Sequence, residues 1–285
     1  MSKGTAPSMK KPVYFDSHMH TPLCKHAIGH PDEYVSVGVE RGLAGIIFTC
    51  HSPMPDRFSH AVRMEPGQFE EYCNLILEAA RNSPDGFEVR LGMESDFFPG
   101  MEPWLEKLHQ RAEFHYILGS VHWHVAEYRH AFWRDDSADF QRQYFEHLAE
   151  SAETGLFDSL AHPDLVKNAD PECWDAGRPD DVILKALDRI AATGVAMELN
   201  TSGLNKIYPE MNPGPWMLTK MAERGIPVVI GSDSHRPERV GDEFENALQQ
   251  LLDAGFDEVT VFERRKPQSL KIEAVRASLR EPSAV

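Results

Sequence analysis

Residues 13–20 read VYFDSHMH and residues 45–51 read GIIFTCH; in each, a short apolar run rich in aromatic and β-branched side chains stops at a histidine. Such runs read as buried strands, and the segment between them, around 31–41, has the apolar spacing of a helix. Strand, helix, strand, with a ligand-type side chain at each strand end, is the unit that organises the chain.

The unit recurs. FEVRLGME (87–94), YILGSVH (116–122), FDSLAH (157–162), VAMELN (195–200) and PVVIGSD (227–233) read as further strands. Helix-compatible stretches lie at 66–82, 101–112, 137–154, 178–193 and 214–224. A helix over 241–254 precedes EVTVFE (258–263), readable as an eighth strand or as an edge closure, and a last helix is expected near 267–280. DPECWDAGRPDD (170–181) reads as a long loop. Polar residues end nearly every strand, and side chains from successive strand ends converge on one mouth only if the strands ring it. The expected fold is therefore α/β, a closed or distorted barrel. Residues 12–285 read as one domain behind a flexible leader at 1–11.

The composition bounds the partners. Against 29 Lys and Arg stand 45 Asp and Glu, a net charge of −16, which opposes bulk attraction to nucleic acid or to anionic lipid. Neither is expected as a partner. No apolar run reaches the roughly 18–20 residues that span a bilayer, and MSKGTAPSMKKP at the start lacks the apolar segment of a secretory signal. Cys24, Cys50, Cys73 and Cys173 are widely separated and form no CxxC pair, so a reducing cytoplasm suits them better than a disulfide framework. Oligomeric state is not legible from these patterns.

The histidines carry the chemistry. His18 and His20 are two apart at a strand end, so both rings lie on one face and reach one cation. An isolated HxH is commonplace. This one is joined by His26 in the next loop, His51 after the second strand, Glu94 ending the third, His122 near the end of the fourth, His162 ending the fifth, and Asp233 and His235 after the seventh. Such a set suits two or three divalent ions, because imidazoles are neutral donors while Glu94 and Asp233 add charge and a carboxylate can bridge two ions. Zinc, iron and manganese all accept these donors.

The ordered motifs DSHMHTPLCKHAIGHP (16–31), IIFTCHSPMP (46–55), LGMESDF (91–97), GSVHW (119–123), AHPDLVK (161–167), ELNTSG (198–203) and GSDSHRPERVG (231–241) resemble the PHP (polymerase and histidinol phosphatase) superfamily, specifically its histidinol-phosphatase branch. The resemblance implies a PHP fold, a distorted (βα)7 TIM-like barrel, with up to three metals. By motif position it makes His18, His20, Glu94 and Asp233 ligands of a first metal. Glu94 as a bridge, with His122 and His162, serves a second, and His26, His51 and His235 a third. Cys50 departs from the pattern, since relatives often carry an acid just before this histidine; a buried structural cysteine is the simpler reading than a thiolate ligand. The CKHAIGHPDEY (24–34) and TCHSPMP (49–55) stretches look distinctive of the branch, and imply hydrolysis of L-histidinol phosphate to L-histidinol and inorganic phosphate in histidine biosynthesis.

In such a site the ions lower the pKa of a bound water, supply hydroxide in line with phosphorus, and neutralise charge on the phosphoryl oxygens. No GxSxG or P-loop motif offers another route. Asp16, Asp164 and His235 are candidates to protonate the leaving group, although Asp16 and Asp164 fit better as carboxylates that orient ligand imidazoles. Arg129, Arg134, Lys206 and Arg236, in loops of the expected active face, are candidates to contact phosphate. His124 shares strand parity with His122 and is expected to face substrate or a loop, and His30 and His60 to line the entrance. Two other functions compete: hydrolysis of another small phosphate ester or a nucleic-acid end by the same machinery, and non-catalytic metal binding. The net charge weighs against nucleic acid, and the filled ligand positions weigh against an inert module.

Overall fold

The computed structural model describes residues 11–280; the expected leader, residues 1–11, lies outside them apart from Lys11. Seven strands pair in chain order, all parallel: β1 (Phe15–Asp16), β2 (Gly45–Phe48), β3 (Glu88–Asp96), β4 (Tyr116–Ser120), β5 (Ser159–Leu160), β6 (Ala196–Asn200) and β7 (Val228–Gly231). Parallel neighbours need long crossovers. These are supplied by α1 (Pro31–Glu40), α2 (Phe69–Asn82), α3 (Glu102–His109), α4 (Ala126–Phe132), α5 (Ser137–Glu153), α6 (Pro171–Gly177), α7 (Asp180–Thr193) and α8 (Pro215–Ala222), with α9 (Phe244–Ala254) after β7. Every residue of β2, β4, β6 and β7 is buried, as expected of strands covered on both faces. The expected barrel is what the structure shows.

The ring is drawn shut between β7 and β1 by side chains as much as by backbone. His20 N donates to Ser234 O at 2.9 Å and Ser234 N to His18 O at 3.1 Å, around a Met19–Ser234 bridge. Beneath it the Asp16 carboxylate accepts from Ser232 N (3.1 Å), Ser232 Oγ (2.5 Å) and Gly241 N (2.8 Å). A fully buried carboxylate is tolerable here because backbone and hydroxyl donors surround it.

Three departures from the sequence reading are instructive. Residues 171–177, expected within a long loop, form α6: the Asp170 side chain accepts from Cys173 N at 3.0 Å and Pro171 fills the first helical position. The stretch 126–132, given no element, is α4. EVTVFE is neither an eighth barrel strand nor an edge closure. It is β8 (Glu258–Glu263), paired antiparallel with β9 (Lys266–Lys271), so the first part of the expected last helix is a strand and only α10 (Ile272–Arg276) is helical. The hairpin turns on Arg264 and Arg265, both left-handed at φ 49° and 62°, a geometry that normally selects Asn-Gly. Arg265 is held there by Asp158 (3.0 Å) and Leu156 O (2.8 Å). Arg90 donates to Phe262 O at 2.9 Å and Tyr116 stacks on Phe262. Arg90, Tyr116 and Asp158 all belong to the strands' entering ends, so the hairpin covers the base of the barrel and leaves the opposite mouth to the histidines.

Candidate metal centre

Eight of the nine expected ligands stand beyond the carboxyl ends of the strands, where barrel loops converge, and Glu94 lies within β3 two residues before its end. Glu94 is the hub. Its carboxylate lies 2.6 Å from His51 Nδ1, 3.2 Å from His162 Nε2, 3.4 Å from His122 Nε2, 3.6 Å from His18 Nε2 and 3.8 Å from His20 Nε2. Burial opposes its charge, yet His51, His122 and His18 hold it well below the usual carboxylate range. Asp233 Oδ1 closes the side towards β1, 3.2 Å from His20 Nε2 and 3.7 Å from His18 Nε2. Ligand atoms of His26, His51 and His235 lie within 4.8 Å of one another, as do those of His18, His20 and Asp233. The Cys24 sulfur forms a similar group with His20 and His235, while Cys50 is fully buried and accepts from Thr21 Oγ1 at 3.3 Å.

The backbone bends to make this cluster. His162 and Asp233 have positive φ, 29° and 50°, a costly state for residues with a Cβ. His162 N is held by Glu198 Oε2 at 2.9 Å, and Asp233 Oδ2 accepts from Ser202 Oγ at 2.9 Å.

Two carboxylates that the sequence reading did not single out orient the rings. Glu198 Oε1 is 2.7 Å from His18 Nδ1, and Asp96 Oδ1 is 2.9 Å from His122 Nδ1. Each bond puts a proton on Nδ1 and turns the Nε2 lone pair inward. His26 and His235 do the same with the carbonyls of Cys24 (2.8 Å) and Asp233 (3.1 Å). The two carboxylates expected in this role do something else. Asp16 reaches no imidazole, being committed to the β1–β7 seam, and Asp164 accepts from Asn212 Nδ2 (2.6 Å), Gly214 N (2.8 Å) and Lys167 Nζ (3.0 Å). Both are buried and saturated, which also removes them as leaving-group acids.

Whether a cation suits the cluster is answered by what lies unpaired in it. His18 Nε2, His20 Nε2, His51 Nδ1, Glu94 Oε2 and His235 Nε2 are buried with no partner in hydrogen-bond geometry, the 2.6 Å approach of His51 Nδ1 to Glu94 Oε2 included. Each such atom costs about 1–3 kcal/mol. A divalent ion takes inward-facing imidazole lone pairs and carboxylate oxygens together, so the donor set fits a metal centre.

Above the cluster opens a cavity of about 510 Å³. Its walls include His124, Trp123, Leu165, Asn168 and Ile207. Lys206 also lines it, with Nζ 3.7 Å from Asp233 Oδ2. Arg236 sits on an adjoining depression, more than half exposed and 3.6 Å from Glu238. Arg129 and Arg134 do not reach the cavity. Arg129 is exposed on α4, and the Arg134 guanidinium folds back onto Ala131 O and Trp133 O. His30 caps α1, its side chain accepting from Asp32 N, instead of lining the entrance.

Gly231 ends β7 directly beneath His18. A Cβ there would lie 2.0 Å from Glu198 Oε1 and 2.6 Å from the His18 Cβ. Gly231→Ala is therefore expected to cost about 1–3 kcal/mol by overpacking and to displace Glu198 from His18. A thermal melt together with the metal content of the purified variant checks both effects; an unshifted melt with full metal content would contradict them.

A family model for the PHP domain matches residues 16–202, and the chain belongs to that family. It is 39% identical over 264 residues to the probable histidinol-phosphatase of Deinococcus radiodurans, covering 89% of this chain and 98% of the relative. It is 25% identical over 268 residues to the histidinol-phosphatase of Bacillus subtilis, covering 82% and 98%. Among solved structures, the histidinol phosphate phosphatase HISK of Lactococcus lactis, complexed with zinc, L-histidinol and phosphate, has a TM-score of 0.72 at 20% identity over 90% of this chain and 98% of that one. That likeness is one of fold. Within the PHP family the chain falls in the histidinol-phosphatase branch, as its motifs implied.

Proposed function

We propose that the protein is a metal-dependent phosphomonoesterase that hydrolyses L-histidinol phosphate to L-histidinol and inorganic phosphate in histidine biosynthesis. The observation that carries the reading is one buried carboxylate, Glu94, within 4 Å of five imidazoles at the floor of an open cavity. The D. radiodurans relative supports the substrate, as does the L-histidinol and phosphate bound to the L. lactis protein.

In this reading His18, His20, Glu94 and Asp233 hold one ion, Glu94 with His122 and His162 a second, and His26, His51 and His235 a third; zinc, iron and manganese all suit the donors. Two or three divalent ions in such a centre supply Lewis acidity and a nucleophile drawn from water at neutral pH. The chain's own side chains do the rest. Glu198 and Asp96 keep His18 and His122 aimed inward. Lys206 offers a cation to a phosphoryl oxygen at the cavity edge. Trp123, Leu165 and Ile207 give apolar wall against the organic part of the substrate, with His124 and Asn168 as polar contacts beside it. His235 lines the same cavity, but burial pushes its pKa down and its Nδ1 proton is held by the Asp233 carbonyl, so in this reading it serves as a ligand and not as the leaving-group acid.

Among the described residues no helix is long and apolar enough to cross a membrane. The reading carries with it a cytoplasmic location, supported by four free cysteines.

Phosphate release from L-histidinol phosphate tests it. The protein as purified, stripped of metal, and reconstituted with Mn, Fe or Zn is compared on this substrate, a sugar phosphate and a DNA 3′ end. Turnover of about 1–10³ s⁻¹, selective for L-histidinol phosphate and restored by metal, is expected. Silence across all three reconstitutions overturns the reading, and faster cleavage of another ester reassigns the substrate.

A further inference from the structure

The connection from β2 to α2 crosses the cavity rim in an expensive conformation. Asp56, Arg57 and Ser59 all have positive φ, 52°, 60° and 50°, none of them glycine. Side chains from elsewhere hold it: Ser59 N donates to Glu127 Oε1 at 2.9 Å, and Lys25 bonds the His60 carbonyl and lies 2.8 Å from Glu65. The deepest tie is Arg63. It is 2% exposed, an unusual place for a guanidinium, and with Val62 it lines the cavity above the metal cluster. One arm donates to Ser52 O at 2.9 Å and the other to Asp96 Oδ2 at 2.5 Å. The second oxygen of Asp96 holds His122 Nδ1, and the far nitrogen of that ring faces Glu94.

A continuous chain thus runs from a loop to a ligand: Arg63, Asp96, His122, Glu94. A carboxylate with no partner beyond the imidazole is free to rotate and to carry the ring with it. Arg63 removes that freedom by fixing the oxygen the histidine does not use, and Ser120 Oγ, 3.3 Å from Oδ1, completes the set. We propose that Arg63 is a positioning residue for the metal centre: through Asp96 it fixes the ring of His122, and so links the conformation of the β2–α2 connection to cation binding at His122 and Glu94. The inference rests on the metal-centre reading above but not on the identity of the phosphoester.

Co²⁺ binding to the metal-stripped protein reads this role directly, by calorimetry and by the visible spectrum of the bound ion, beside turnover of L-histidinol phosphate and of p-nitrophenyl phosphate. In Arg63→Met one class of Co²⁺ site is expected to weaken about 10–100-fold, with kcat falling alike and KM little changed. Arg63→Lys keeps the charge without the planar fork and is expected to recover part of the loss. Because Arg63 acts through Asp96, the double variant R63M/D96N is expected to bind Co²⁺ no more weakly than D96N alone. It also leaves no unpaired buried charge, so the comparison survives if R63M alone fails to fold. Co²⁺ binding in R63M or R63K equal to wild type, or losses in the double variant that multiply, overturns the proposal. A wild-type protein that binds Co²⁺ but turns over neither ester instead sinks the phosphatase reading, and the Arg63 comparison stands on binding alone.

Discussion

Glu94→Gln is expected to lower phosphate release by at least about 10³-fold while leaving the barrel folded. The substitution keeps the shape and volume of the side chain, so β3 and its neighbours have no reason to move. What changes is charge and direction: one carboxylate oxygen becomes an NH₂ donor pointed into rings whose inward nitrogens present lone pairs. Glu94 is within 4 Å of His18, His20, His51, His122 and His162, so no neighbouring side chain substitutes for it. Losing a single donor from a preorganised electrostatic site costs about 10²–10³ in rate. In the proposed reading Glu94 would serve two ions, which places the expected loss at or above the upper end. The check is kcat, metal content and circular dichroism on one preparation. A variant that keeps its metal and more than a tenth of wild-type turnover would show that Glu94 is not the hub of the centre.

Much of this arrangement is legible in the sequence because the same physics repeats at every strand. A strand buried on both faces must be apolar throughout, so a histidine or carboxylate at its end stands out, even in β5, which is two residues long. Helices α1, α2, α5 and α7 announce themselves through caps and period: Asp136 before α5 and Gly194 after α7 stand where termini require them. Segment 266–271, KPQSLK, carries no such signal. Its side chains are mostly exposed and poor in β-branched residues, and it is a strand only because β8 offers an edge and Arg265 anchors the turn. The α6 signal in Asp170-Pro171 is masked by the polar composition around it.

The second layer of the site divides along the same line. Asp96 is two residues from Glu94 on one strand and therefore shares its face, a relation that period alone reveals. Glu198 is likewise an acid in a strand otherwise apolar up to Asn200. Asp16 misleads because it too stands two residues from an expected ligand, His18, yet its carboxylate turns to Ser232 and Gly241 across the seam. Nothing in a loop's composition says that Arg63 is buried while Arg129 and Arg134 are exposed. That distinction depends on which carboxylate lies within reach once the chain has folded.

Metal removal has the second large expected effect, on stability as well as rate. An ion held at about a thousand times its dissociation constant adds about 4 kcal/mol to the folded state, which for a chain of this size is about 7 °C in melting temperature. The cluster gives that sensitivity a structural basis, because the proposed ligands come from the ends of β1, β2, β3, β4, β5 and β7 and would cross-link most of the ring. Stripping the ions leaves buried nitrogens and an oxygen with nothing to bind. It does not remove the seam bonds of Asp16 and Ser234, nor the β8–β9 cover at the base. The stripped protein is therefore expected to stay folded at room temperature, to melt earlier, and to recover both melting temperature and turnover when a divalent ion is returned. Calorimetric melts before chelation, after it, and after readdition settle the matter. An unchanged melting temperature with undiminished turnover after verified stripping would mean that the histidines do not bind a catalytic metal at all. Unfolding at room temperature would mean that the ions hold the seam between β7 and β1, which the geometry assigns to Asp16.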